Sequence, residues 1–374
     1  MSAQTPFQIF LVATPGLEPA LCDEARALGF RDAEAVDGGI AFTGTWADVW
    51  RANLELRGAT RVLARIGEFR ALHLAQLDKR ARKVPWNTLL RPDIPVKVEA
   101  SCKRSRIYHA GAAAQRVATA IHEELGIAIA DDAELRITVR IENDLATISI
   151  DTTGESLHKR GFKEAVNRAP MRETMAAMFL RQCGFAGDEP VLDPMCGSGT
   201  FVIEAAEIAA RLQPGRERQF AFEKLASFDR QAWSKLKAPT EHHEPAVRFF
   251  GSDRDPGAIR MSIENAERAG VAALTRFEQL AIEAITPPEG PPGLVVVNPP
   301  YGTRIGNKAP LLALYRNLGS VLRQRFTGWR VGIITTDAAL AKATGLPFLP
   351  PERPVLHGGL RVTLYRTAPL RNGG

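Results

Sequence analysis

Four consecutive residues, Asn298-Pro299-Pro300-Tyr301, follow an apolar run at 294–297 (LVVV) and carry the most specific chemical signal in the chain. Two prolines end a strand, fix the backbone and remove N–H donors while leaving their carbonyls. The Asn298 side-chain oxygen and the Pro299 carbonyl can aim two acceptors at one point, which suits an exocyclic NH2 with two donors. Tyr301 adds a face on which a base can stack. Hydrogen bonds of this kind turn the amine lone pair towards an electrophilic carbon and hold the charge that develops as nitrogen is alkylated. Asn298, Pro299, Pro300 and Tyr301 are therefore the candidate catalytic residues for N-methylation of a base. Adenine N6 and guanine N2 satisfy the motif equally, and a rigid Pro-Pro loop end is its reading without chemistry.

A second motif supplies a place for the methyl donor. Residues 191–200 (VLDPMCGSGT) read as a buried strand, an acid, a turn of small residues and a helix start. Gly197 and Gly199 let the backbone approach a ligand, and the helix start presents free N–H groups. Asp193 suits the amino group or sulfonium charge of S-adenosylmethionine better than a pyrophosphate. Neither GxGxxG nor GxxxxGK[ST] is present, which argues against a dinucleotide oxidoreductase and a P-loop enzyme. A third strand end, 249–255 (FFGSDRD), offers Asp253 to ribose hydroxyls. Gly199 and Asp253 stand 54 residues apart, against roughly 20 in dinucleotide folds, so 212–248 reads as an insertion. Asp253 and Asp255 could equally cap a helix. Cys196 lies inside the cofactor turn with no evident base to ionise it, which argues against a thiolate nucleophile.

These groups need elements to hold them. From 190 onward short apolar strands alternate with helices at 199–211, 256–269 and 310–325, the rhythm of a doubly wound, mainly parallel α/β sheet. A further helix is expected over 170–181. Before about residue 155 strands and helices mix in small α+β units: strands at 7–13, 38–42, 61–69, 95–101, 135–141 and 145–151, with helices at 17–28, 46–56 and 111–125.

The 374 residues suffice for two or three domains, and 45% hydrophobic with 24% charged residues is ordinary for a folded chain. No apolar run approaches the roughly 18 residues of a membrane span, and the N-terminus lacks a secretory pattern. Four scattered cysteines without a CxxC pair argue against a disulfide scaffold and fit a reducing cytoplasm. Scarce histidine without HExxH spacing argues against a metal centre, and His242-His243 reads as a solvated loop. The net charge of +6 is unevenly spread: residues 51–116 carry +10, while 1–50 and 117–160 carry −5 each. Lys79-Arg80-Ala81-Arg82-Lys83 and Lys103-Arg104-Ser105-Arg106 concentrate that charge, and clustered cations of this kind bind phosphates. A helix face balanced by nearby acids is the alternative.

Together, LDPMCGSGTFVIEAA, GSDRDPGAI…NAERAG and GLVVVNPPYGTRIG resemble the THUMP-domain RNA guanine-N2 methyltransferases, and VKVEASCKRSRIYHAGA with ATISIDTTGESLHKRGFK resembles the end of a THUMP domain and its exit. The resemblance covers nearly the whole chain. It implies a ferredoxin-like unit at 1–50, a THUMP RNA-binding domain at 51–157 and a Rossmann-like class I methyltransferase domain at 158–374. By match, Asp193, Pro194, Cys196, Gly197, Ser198, Gly199 and Thr200 line the S-adenosylmethionine pocket, with Asp253 at the ribose and Arg254 beside it. Arg172, Glu173 and Thr174 fall in the segment that closes over the methionine end. Lys103, Arg104, Arg106, Lys159 and Arg160 are the expected RNA contacts. One departure concerns the family's adenine-reading Asp: Ala281 stands in its place, with Glu278, Gln279 or a backbone carbonyl as substitutes. The substrate implied is RNA, 23S rRNA first and tRNA second, without metal or membrane. An adenine-N6 methyltransferase and a non-catalytic RNA-binding factor are the other readings.

Overall fold

The structure is a computed structural model describing residues 5–163, 171–238, 243–301 and 309–371. The chain groups into two units: 1–13, 21–157 and 215–238 form the first, and 14–20, 158–214 and 239–374 the second.

The first unit is built on a seven-stranded sheet ordered β2-β3-β1-β4-β7-β6-β5. Its strands are β1 (Phe7–Val12), β2 (Glu34–Val36), β3 (Gly39–Gly44), β4 (Arg61–Arg70), β5 (Val96–Lys103), β6 (Leu135–Glu142) and β7 (Leu145–Asp151). Neighbours run antiparallel except β5 and β6. That parallel pair needs a crossover, which the helix Ala110–Leu125 supplies. β6 and β7 join through Asn143 and Asp144, whose φ angles of +51° and +65° give the two-residue turn that matches strand twist. The ten-residue β4 lies between β1 and β7, so strands from 1–50 and from 51–157 share one continuous sheet. The helix Leu74–Ala81 runs through the first basic cluster.

Residues 215–238, read from sequence as part of an insertion in the catalytic half, group with this first unit. Aromatic packing explains it. Phe222 stacks on Trp50 at 6.0 Å between centroids and meets Trp233 edge-on at 5.0 Å. The backbone is stitched down as well, with the Phe222 N–H donating to Thr152 O and the Ala226 N–H to Leu89 O, both at 3.0 Å.

In the second unit the sheet order is β10-β9-β8-β11-β12-β14-β13. The strands are β8 (Val191–Asp193), β9 (Phe249–Asp253), β10 (Thr275–Gln279), β11 (Leu294–Val297), β12 (Arg330–Thr335), β13 (Val355–His357) and β14 (Leu360–Arg366). The first five are parallel, as the alternating rhythm predicts, and β14 returns antiparallel to β12 with β13 on its far side. β11 is fully buried, which is why it reads as an unbroken apolar run. One side of its core holds Val295, Val297, Leu318, Leu322, Phe326, Trp329 and Ile333. The helix expected over 170–181 runs Glu173–Gln182; Arg172 is still extended, with φ −73° and ψ 141°. The β13–β14 hairpin was not anticipated. No helix among the described residues is long and apolar enough to cross a membrane.

Trp50→Ala is expected to destabilise the first unit by about 3–5 kcal/mol, read by chemical denaturation. Trp50→Ala with Phe222→Ala should cost less than the two single changes added, because the rings share one contact. A cost below about 1 kcal/mol for Trp50→Ala would show that 215–238 is not packed as described.

Candidate active site at the sheet's switch point

β8 is followed outward by β9 and β10, whereas β11 returns to its other side. At such a reversal the loops leaving two neighbouring strands part, and a crevice opens beyond their carboxyl ends. Asp193 ends β8 and Asn298 follows β11, so both lie at that crevice. A cavity of about 820 Å³ occupies it, lined among others by Asp193, Pro194, Cys196, Gly197, Ser198, Thr200, Asp253, Arg254, Asn298, Pro299, Pro300 and Tyr301.

The turn after β8 is held by its neighbours. The Cys196 N–H donates to Ser252 O at 2.9 Å, and the Gly197 N–H to Asp253 Oδ2 at 3.1 Å. Ser262 Oγ donates to Gly197 O and Asn265 Nδ2 to Ser198 O, at 3.0 and 3.1 Å. Gly197 has φ +55° and open space where a Cβ would stand, so the backbone itself faces the cavity. Gly199 also has positive φ, +83°, but a Cβ there would lie 3.1 Å from Ser262; it serves helix packing and does not line the cavity. Neither does Thr174, which is fully buried with an unpartnered hydroxyl; Met171, earlier in the same segment, does. Lys163 ties that segment to the helix Thr200–Ala209, with Nζ 3.0 Å from Glu173 Oε1 and 2.8 Å from Thr200 Oγ1.

Burial pushes the Asp193 carboxyl up to about 8, opposed by the Met195 N–H it accepts and reinforced by the nearby Asp253 charge. A buried carboxyl with one hydrogen bond is a group prepared for a cationic partner, since a cation would restore its ionised form. Asp253 accepts N–H groups from Gly197 and Asp255 and still lines the cavity, so it is oriented for hydroxyls. Asp255 instead caps the helix Pro256–Arg268 through the Gly257 N–H. Burial raises the Cys196 thiol well above its usual range, so it stays protonated and is no nucleophile.

Across the switch point, Asn298 Oδ1 is buried and accepts no hydrogen bond, although buried acceptors are almost always paired. Burial pushes the Tyr301 phenol up to about 12, with the adjacent Asn298 side chain opposing in smaller measure, so the ring stays neutral. Tyr315, on the helix Ala309–Arg325, donates to Pro300 O at 3.4 Å and props the motif from below. The residues present fit S-adenosylmethionine beside a base: an acid for a cation, an acid for a ribose, an open glycine and an orphaned acceptor.

The remaining wall follows β10. Leu280, Ala281, Ile282 and Glu283 line the cavity, whereas Glu278 pairs with Arg276 and Gln279 donates to Arg254 O. Of the substitutes for an adenine-reading acid, only the backbone near Ala281 lies on the wall. The tip of the β13–β14 hairpin, His357–Leu360, completes the lining. The signal for it was Gly358-Gly359 between two apolar runs, a two-residue hairpin pattern.

The expected RNA contacts divide. Lys103, Arg104 and Arg106 are exposed on the first unit, with Lys103 Nζ 3.3 Å and Arg104 Nη2 3.9 Å from Glu142. In the other cluster, Arg82 is balanced by Asp78, Glu123 and Glu124. Lys159 is exposed. Arg160 is a correction: its side chain is 1% exposed and its Nε donates to Glu204 Oε1 at 3.0 Å. Glu204 faces inward from the helix Thr200–Ala209, and a buried carboxylate requires a buried cation. Arg160 therefore serves the catalytic unit's interior.

Because Asp193 binds its proton more tightly folded than unfolded, its contribution to stability falls as pH rises from about 3.8 to about 8. Ligand-free Asp193→Asn should gain on the native chain across that window by on the order of 1 kcal/mol per pH unit. Thermal unfolding at pH 5 and pH 8 checks this, and a difference that does not grow with pH would refute it.

Residues 160–348 match the model for the RMKL-like methyltransferase domain, 8–63 the RlmL ferredoxin-like domain and 73–151 the THUMP domain. A ribosomal RNA large subunit methyltransferase K/L from Syntrophotalea carbinolica is 37% identical over 361 residues, covering 91% of this chain and 51% of that protein. The chain thus spans about half the length of the curated relatives it matches. A structure from Listeria monocytogenes, described as a predicted N6-adenine-specific DNA methylase, is 31% identical with a TM-score of 0.87, covering 98% and 97% of the two chains. SMU.472, solved in complex with SAH, is 26% identical with a TM-score of 0.87, covering 98% and 99%. With one model spanning half of its residues and the switch-point cavity inside that span, the chain belongs to the RMKL-like methyltransferase domain family.

Proposed function

We propose that this protein methylates the exocyclic N2 of a guanosine in RNA, large-subunit ribosomal RNA first, using S-adenosylmethionine. The observation that carries the reading is the unpartnered Asn298 Oδ1 on the same cavity as Asp193 and Asp253. An acceptor left unsatisfied here carries a free-energy cost that a donor arriving with the substrate would relieve.

When bound, S-adenosylmethionine would supply a methyl group activated by its sulfonium, which would leave as a neutral thioether. Asp193 would hold its cationic end and Asp253 its ribose hydroxyls. Asn298 Oδ1 and the Pro299 carbonyl accept the two N–H bonds of the target amine, and Tyr301 stacks on the base. So held, the amine nitrogen would have its lone pair free for methylation, and one of its protons would leave to water. Asn298 cannot take that proton, and the neutral Tyr301 phenol is no base at physiological pH. Catalysis here is orientation and charge stabilisation. A paired base cannot enter such a cavity, so the target is unpaired or flipped out.

The THUMP match at 73–151 favours RNA over DNA, and the ribosomal naming of the curated relatives favours rRNA over tRNA. The exposed Lys103, Arg104 and Arg106 would hold phosphates and set position while the cavity selects the base.

Nucleoside mass spectrometry of rRNA and tRNA from a strain lacking the gene is expected to show loss of N2-methylguanosine from rRNA, restored in vitro by protein and S-adenosylmethionine. Loss of N6-methyladenosine instead would overturn the guanine assignment. Asn298→Ala should lower turnover at least about 100-fold while S-adenosylmethionine affinity changes little; parallel loss of both would remove its base-holding role. Replacing Arg104 and Arg106 by Ala should weaken RNA binding and flatten the slope of log K against log salt by about 1–2. An unchanged slope would refute that contact.

A further inference from the structure

Resting on the N2-guanine reading, we propose that His357 selects guanine by accepting its N1–H through Nε2, the hydrogen bond that adenine cannot make. Asn298 and Pro299 recognise only an NH2 group, which both purines carry. One place where the two differ is the ring nitrogen beside that amine: a donor in guanine, an acceptor in adenine.

His357 lines the same cavity as Asn298 and Tyr301 and is half-buried. Its Nδ1 lies 3.3 Å from Met175 Sδ. A thioether has lone pairs and no proton, so this contact is a hydrogen bond in the Nδ1–H tautomer, the one required here. In a neutral ring that tautomer leaves Nε2 bare, an acceptor. Burial, and then the positive charge of Arg172, depress the imidazole's proton affinity and keep it neutral. The ring is also fixed in place. Gly358 and Gly359, with φ +55° and +83°, form the tight turn that pairs His357 with Leu360, and Met175 is buried in the helix Glu173–Gln182. An acceptor held this way is preorganised for one donor.

Among the described lining residues, several side chains are already engaged or apolar. Asp193, Asp253 and Arg254 belong to the cofactor side, and Thr200 Oγ1 already takes the Lys163 ammonium. Glu283 sits on the wall that continues β10, where its Oε1 accepts from Asn317. Met171, Leu314 and Leu360 are apolar. Adenine seated on Asn298 would oppose its N1 lone pair to that of Nε2, an unpaired contact that a desolvated site penalises.

Two measurements test this. Long-range proton–nitrogen NMR of the histidine rings in the S-adenosylhomocysteine-loaded protein, with His357→Phe to assign the signal, should show Nδ1 protonated and Nε2 bare. A protonated Nε2 overturns the proposal even if guanine is methylated. Next, a short RNA carrying the site mapped in rRNA is compared with one bearing 2-aminopurine there, which keeps the amine and lacks N1–H. The native protein should prefer guanine, and His357→Phe should reduce that preference about 10- to 100-fold. His357→Gln, which returns an acceptor oxygen, should recover part of it, and both variants should bind S-adenosylmethionine like the native chain. An unchanged preference in His357→Phe overturns the proposal. Absence of N2-methylguanosine activity would instead defeat the parent reading, which the mass spectrometry reports separately.

Discussion

A carboxylate buried at the end of the central strand, where strand order reverses, is the constraint around which the catalytic unit is arranged. Moving Asp193 out of water raises the cost of its charge, and one hydrogen bond from Met195 returns little of it. The position is tolerable because the sheet reversal makes it the floor of an open crevice where a cationic ligand can meet it. The turn that follows must then be rigid, since a ligand held by both side chain and backbone needs both in fixed places. Hydrogen bonds from Ser262 and Asn265, on the helix Pro256–Arg268, and the acceptance of Gly197 N–H by Asp253 supply that rigidity. The ion pair of Arg160 with Glu204 and the cluster of Lys163, Glu173 and Thr200 anchor the next layer.

The second strand end at the switch point is built on the opposite principle. Asp193 awaits a cation; Asn298 offers an acceptor with no charge and no proton to exchange. Methyl transfer to a neutral amine needs little more, because the difficult part of the chemistry is carried by the sulfonium leaving group. On the proposed reading the protein adds orientation and a stacking face, and Tyr315 supports the Pro299-Pro300 pair that carries them.

The first unit solves a different problem. Its long central β4 merges two small α+β pieces into one sheet, and 215–238 is recruited from a distant part of the chain because Trp50, Phe222 and Trp233 bury one another. Of its two basic clusters, one is tempered by the Arg82 network with Asp78, Glu123 and Glu124, while Lys103, Arg104 and Arg106 remain exposed around the pinned β6–β7 turn. Positive charge in a sequence thus marks a polyanion-binding surface only after the acids brought close by folding have been subtracted.

The sequence by itself determined the parts whose meaning is local. A strand that runs into LDPMCGSGT or NPPY places its side chains within a few residues of its own end, so the parallel sheet and the residues gathered at the switch-point cavity were legible. Tertiary structure alone decided the parts whose meaning depends on a distant partner. Arg160 reads as a surface cation until Glu204, 44 residues on, draws it inside. That a side chain at Gly199 would crowd Ser262 is likewise visible only once the helix Pro256–Arg268 packs beside it. His357 carries no local motif, and its contact with Met175, 182 residues earlier, exists only in the folded chain. Burial and side-chain pairing are set by what packs against a residue, and that is a property of the folded chain and not of any window of its sequence.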